Sequence, residues 1–122
     1  MQFDIPKLLK MSIAEVKEEL GPPKHEYIPT DLQLEFWPEF PFDAEYVKGN
    51  VSIGIEYTQR GNILSISIAD DTEGSSQRDI MTLGNLVPND REYHLKVMNW
   101  LNPAKARANK SAQIASIKVT PR

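Results

Sequence analysis

Two different periods of apolar residues run along the chain, and the change from one to the other divides it. Ile13, Val16 and Leu20 recur at i, i+3 and i+7, which places them on one face of a helix. The start of that helix is written in Ser12-Ile13-Ala14-Glu15, a capping box in which the serine hydroxyl and the glutamate carboxylate each satisfy the other residue's backbone N–H. Met11 and Val16 stand where a hydrophobic staple is placed, Gly21 follows where a helix C-cap is wanted, and Pro22-Pro23 forbids continuation. An earlier, shorter helix is expected after Asp4, with Pro6 in its first turn, where a missing N–H costs nothing.

Beyond the prolines the period drops to two. Leu32, Leu34 and Phe36 alternate with Gln33 and Glu35, a pattern that predicts a half-buried strand. Val51, Ile53, Ile55 and Tyr57 alternate with Ser52, Gly54, Glu56 and Thr58. After Gln59-Arg60-Gly61-Asn62 the alternation resumes in Leu64, Ile66 and Ile68. Two such runs around a short glycine-containing connection predict an antiparallel hairpin at the centre of the fold. Asp70 to Arg78 is polar and predicts a loop, Asp79 is placed to cap a short helix through Leu83 before Gly84, and Tyr93–Leu101 and Ile114–Val119 read as further strands. Between those two, Asn102-Pro103 can start a short Ala-rich helix or belong to an extended hairpin loop. The expected fold is therefore α+β, two short N-terminal helices packed on an antiparallel sheet that C-terminal strands extend, with residues 1–122 forming a single domain.

Composition narrows the setting. The 122 residues include no cysteine, which removes disulfides, thiolate metal sites and cysteine nucleophiles, and fits a reducing compartment. The first twenty residues carry charges every few positions, so neither a signal peptide nor a membrane span is expected, and a cytoplasmic location is. The net charge of −3 is unevenly spread. Residues 1–90 hold 7 Lys/Arg against 16 Asp/Glu, whereas residues 91–122 hold 7 Lys/Arg and the single acid Glu92. Charges on neighbouring strands that complement one another would account for this division, and so would an acidic surface meeting a basic partner.

The densest cluster of candidate binding residues is Phe36-Trp37-Pro38-Glu39-Phe40-Pro41-Phe42, with Trp37, Phe40 and Phe42 as its candidate contacts. Its prolines exclude a regular central strand, leaving two readings. The rings pack against the edge of the core, or they form an exposed, stiffened loop of the residue types that dominate binding hot spots. Lys105, Arg107 and Lys110 make a second candidate surface, for phosphate or for an acidic protein, with a solvated face as the plain alternative. Nucleic acid is not the expected partner of a chain that is acidic overall. His25 and His94 stand in no ligand spacing, and Asp70, Asp71 and Glu73 lack the alternating ligands of a calcium loop. No nucleophile elbow or phosphate-binding glycine motif occurs, so neither a cofactor nor a catalytic residue is assigned.

The stretch Leu8-Leu9-Lys10-Met11-Ser12-Ile13-Ala14-Glu15-Val16, closing on Leu20-Gly21-Pro22-Pro23, resembles the helical motif that opens domains of the SmpA/OmlA (BamE-like) lipoprotein family. The resemblance implies an α-α-β-β-β order and a role as a protein-binding component, while Lys10-Met11 departs from the family's small residue before the serine and there is no cysteine to carry a lipid. The expected function is a protein-binding module without catalysis, with homodimerisation through a strand or the aromatic loop included. The alternatives are a small acidic immunity- or inhibitor-type protein, and a small-ligand binder or hydrolase.

Overall fold

Four short helices and six strands make up the computed structural model, which describes residues 1–70, 77–101 and 113–122. Helix α1 spans Ile5–Leu9 and α2 spans Ile13–Leu20. The capping box of α2 is formed as written: Glu15 N–H donates to Ser12 Oγ at 3.3 Å and Ser12 N–H donates to Glu15 Oε1 at 3.1 Å. Gly21 ends the helix at φ 84°, ψ −166°, a conformation open only to glycine. The start of α2 is fixed on the central hairpin, where Ile13 N–H donates to the Gly61 carbonyl at 2.9 Å. Asp4 ties α1 to the far side of the chain by accepting from Asn85 Nδ2 at 3.1 Å.

The strands are β1 (His25–Tyr27), β2 (Phe42–Lys48), β3 (Val51–Tyr57), β4 (Ile63–Asp70), β5 (Tyr93–Leu101) and β6 (Gln113–Pro121). They form one antiparallel sheet in the order β1-β2-β3-β4-β6-β5. The predicted hairpin is β3–β4, closed by Gly61 at φ 89°. Helix α4 (Gln77–Leu83) stops before Gly84 as predicted, but it begins two residues before Asp79, which lies in its first turn and does not cap it.

Period two sorts the sheet into faces. Ala44, Tyr46, Ile53, Ile55, Ile66, Ile68, Ile117 and Val119 point one way and meet Ile5, Leu8, Ile13, Val16 and Ile80 of the helices in a single buried cluster. The fold is thus α+β, with the core between one sheet face and α1, α2 and α4. The other face carries Asp43, Glu45, Ser52, Gly54, Glu56, Ser67 and Lys118, alternate residues of the same strands. Among the described residues no helix is long and apolar enough to cross a membrane.

A larger expectation fails over residues 31–36. They are a helix, α3 (Asp31–Phe36), not a strand. Thr30 caps it in a second capping box, Gln33 N–H donating to Thr30 Oγ1 at 3.2 Å and Thr30 N–H to Gln33 Oε1 at 2.9 Å. Leu32 and Phe36 are four apart, so the alternation that suggests a strand also fits one side of a helix. The first of the three strands in the expected α-α-β-β-β order is supplied instead by β2, with β1 and α3 inserted before it.

Candidate functional site

Helix α3 buries none of its residues. Its two large apolar side chains on one side, Leu32 and Phe36, are 62% and 83% exposed, and Trp37 at its C-cap is 55% exposed. Trp37 is extended, as the residue before Pro38 tends to be, and its ring reaches that of Phe40. The two rings meet edge to face, with centroids 5.3 Å apart and planes at 73°. Phe40 also lies 6.4 Å from the ring of Tyr27, whose hydroxyl donates to Gln33 Oε1 at 2.9 Å. That bond fastens α3 to strand β1. The result is a shallow recess of about 320 Å³ lined by Leu32, Gln33, Phe36, Trp37 and Phe40.

A second recess, of about 280 Å³, shares Phe40 and continues past Tyr27, Pro41 and Phe42 to Asp43 and Glu56. A third, of about 240 Å³, shares Tyr27 and Asp43 and extends over Gly54 to His25, Glu26 and Glu45. The three are neighbours through their shared lining residues Phe40, Tyr27 and Asp43, and this row of recesses, the groove, is apolar at α3 and acidic over β2 and β3. The acidic end follows from register. Asp43 pairs directly with Glu56 across β2–β3, and Glu45 lies two residues along on the same face, opposite Gly54. Gly54 presents no side chain there, which leaves the floor low.

Like charges set directly opposite in a sheet repel. Asp43 is accordingly displaced above the usual aspartate range, by loss of solvent first and then by the charges of Glu56 and Glu45. Glu26, on the helix-covered face, behaves in the opposite sense. It accepts from Lys17 Nζ at 2.6 Å and from the Tyr57 hydroxyl, and the two bonds, that from Lys17 first, hold it below the usual glutamate range. The same bond and burial push the Tyr57 phenol well up, burial being the larger cause.

These two carboxylates make opposite contributions to stability. A depressed acid stabilises the fold while ionised, so the Glu26 contribution is present above about pH 4.5 and disappears as pH falls. A raised acid is easier to ionise in the unfolded chain, so the fold loses stability as pH rises through the range where Asp43 titrates. Thermal melts across the acid range should show Glu26→Gln flattening the loss of stability below about pH 4.5. Asp43→Asn should raise the melting temperature at about pH 7 and leave it unchanged at about pH 3. A fall with Asp43→Asn at neutral pH would mean that the carboxylate supports the fold.

The candidate residues from the sequence are divided by the structure. Trp37 and Phe40 come together in the apolar recess, whereas Phe42 opens β2 and turns half-buried to Tyr57, with ring centroids 5.2 Å apart. Phe36 and Trp37 are therefore exposed, as one reading expected, but from the end of a helix and its cap and not from a loop, while Phe42 fits the core-edge reading. Lys105, Arg107 and Lys110 lie outside the described residues, as do Asp71 and Glu73. His25 stands in the acidic recess, while His94, on strand β5 far along the sheet order from it, has its Nε2 3.1 Å from Arg122 Nη1. Among the described residues, no three His, Asp or Glu side chains are grouped to hold a metal ion. Tyr27, Leu32, Asp43, Glu45 and Glu56 carry no site signal in the sequence, and only strand register brings the three acids together. No family model, curated protein or solved structure matches the chain.

Proposed function

We propose that the chain is a non-catalytic protein-binding module of the cytoplasm whose contact surface is the α3 side of the groove. The observation that carries this reading is a helix with two capping hydrogen bonds that buries nothing while holding Leu32, Phe36 and the adjoining Trp37 in water. Leaving a large apolar side chain exposed forgoes roughly 1.5–3 kcal/mol of burial. Helix and cap hold the rings in one place, and a preformed aromatic surface lowers the entropy cost of capture. A shallow recess lined by exposed rings suits a partner surface better than an enclosed reaction site. The resemblance of residues 8–23 to a family of protein-binding components points the same way, although it includes no residue of the groove.

The test is a photo-crosslinking amino acid placed at position 36, with a second chain carrying it at exposed Arg91 as control. In the native cell, position 36 should yield a discrete crosslinked protein that position 91 does not. Equal, diffuse crosslinking from both positions would end the proposal.

A further inference from the structure

The α3 recess is one end of a longer groove, and the other end restricts what lies across it. From His25 to Val47 the chain carries six acids, Glu26, Asp31, Glu35, Glu39, Asp43 and Glu45, and neither a lysine nor an arginine. Glu35 and Glu39 flank the exposed rings on both sides, and Asp43 and Glu45 continue the acidic run to Glu56 on the neighbouring strand. Among the described residues, Asp43, Glu45 and Glu56 join no ion pair; the lysine partners go to Glu19, Glu26 and Glu92 instead. The fold thus brings three unneutralised carboxylates together beside an uncovered aromatic surface.

Resting on the protein-binding reading, we infer that the groove takes a basic segment of a partner protein, one that sets a large apolar side chain against Leu32, Phe36 and Trp37 and an arginine between Asp43, Glu45 and Glu56. Charge complementarity chooses the occupant. An acidic or neutral segment would leave the three carboxylates repelling one another under a partner that excludes water, where their repulsion strengthens. A cation removes that repulsion. Arginine suits the groove better than lysine because its planar guanidinium can meet carboxylates in pairs and lie against an aromatic ring. Tyr27 and Phe40 line the same recess as Asp43 and Glu56, which supplies such a ring beside the acidic end.

A random peptide library displayed on phage and selected on the full chain tests this directly. Recovered peptides should pair arginine with an aromatic or leucine residue. A synthetic copy of the dominant peptide should bind at least about tenfold more weakly to the triple variant Asp43→Asn/Glu45→Gln/Glu56→Gln, and to the wild type in about 0.5 M salt. The amide substitutions keep shape, and a melting temperature at neutral pH no lower than wild type shows that the fold is retained. Phe36→Ser should also release the peptide. Peptides that are apolar without arginine, lost with Phe36→Ser but indifferent to the triple variant, overturn the basic partner and leave the protein-binding surface standing. Peptides indifferent to both variants, or no peptide recovered, overturn both. A chain that dimerises by sedimentation and becomes monomeric with Phe36→Ser identifies the occupant as a second copy and overturns the foreign basic segment alone.

Discussion

Replacing Ile68 with alanine is expected to cost about 2–5 kcal/mol, a large part of the roughly 5–15 kcal/mol that holds a domain of this size folded. Ile68 is fully buried and lies in the middle of the sheet, paired with Ile53 on one side and Ile117 on the other. Its truncation removes one of the side-chain contacts that pack the β3–β4 hairpin against the C-terminal strand and against the turn after α4. That turn supplies a more searching measurement. A Cβ built on Gly84 would lie 3.2 Å from Ile68 Cδ1, 3.1 Å from Ile5 Cγ1 and 3.3 Å from Leu86 Cδ1. Gly84→Ala alone therefore crowds a packed corner and destabilises. In the Ile68→Ala background one of the three crowding atoms is gone and the added methyl enters the space left behind. The double variant should lose less stability than the sum of the single losses, by more than the roughly 0.5 kcal/mol within which independent sites add. Strict additivity in urea melts would mean that the turn and Ile68 do not share a packing site.

The elements legible in the sequence are those whose signals agree at more than one level. Helix α2 has a capping box, a staple, an apolar face and a glycine stop, and β3–β4 has two long alternating runs around a glycine turn. The alternation of Leu32, Leu34 and Phe36 is a single-level signal, and it gave way to Thr30-x-x-Gln33, a capping box of the same kind as the one at Ser12. Strand β2 is an alternating run as well, Phe42, Ala44 and Tyr46. Pro41 before it, a small alanine within it and acids between draw attention to the aromatic cluster instead. Strand β1 has no apolar signal because all three of its residues are exposed, and it exists through its pairing with β2. The site divides in the same manner. Its aromatic half is continuous in sequence and visible there, but the acidic half needs Glu56 opposite Asp43, and register belongs to the folded sheet.

Trp37→Ala is expected to weaken capture of the partner by about thirtyfold or more, the effect of losing a hot spot worth about 2 kcal/mol, while changing stability by no more than about 1.5 kcal/mol. Both figures follow from where the ring is placed. It is half in water and its ring contact is with Phe40, so the folded chain loses one edge-to-face pair and leaves no cavity. A docked partner covers the ring and loses all of it. Phe36→Ser should have a still smaller effect on the melting temperature, because that side chain is 83% exposed and already gains little from the fold. Ile68→Ala provides the contrast, a large loss of stability with the affinity of the remaining folded fraction unchanged, since Ile68 lies on the helix-covered face away from the groove. Calorimetric titration with a crosslinked partner, or with the selected peptide, measures one axis and thermal melting the other. Core residues should fall along the stability axis and Phe36 and Trp37 along the affinity axis. If Trp37→Ala instead lowers the melting temperature as far as Ile68→Ala and leaves affinity alone, the aromatic surface is a support for the sheet edge, and the partner docks elsewhere.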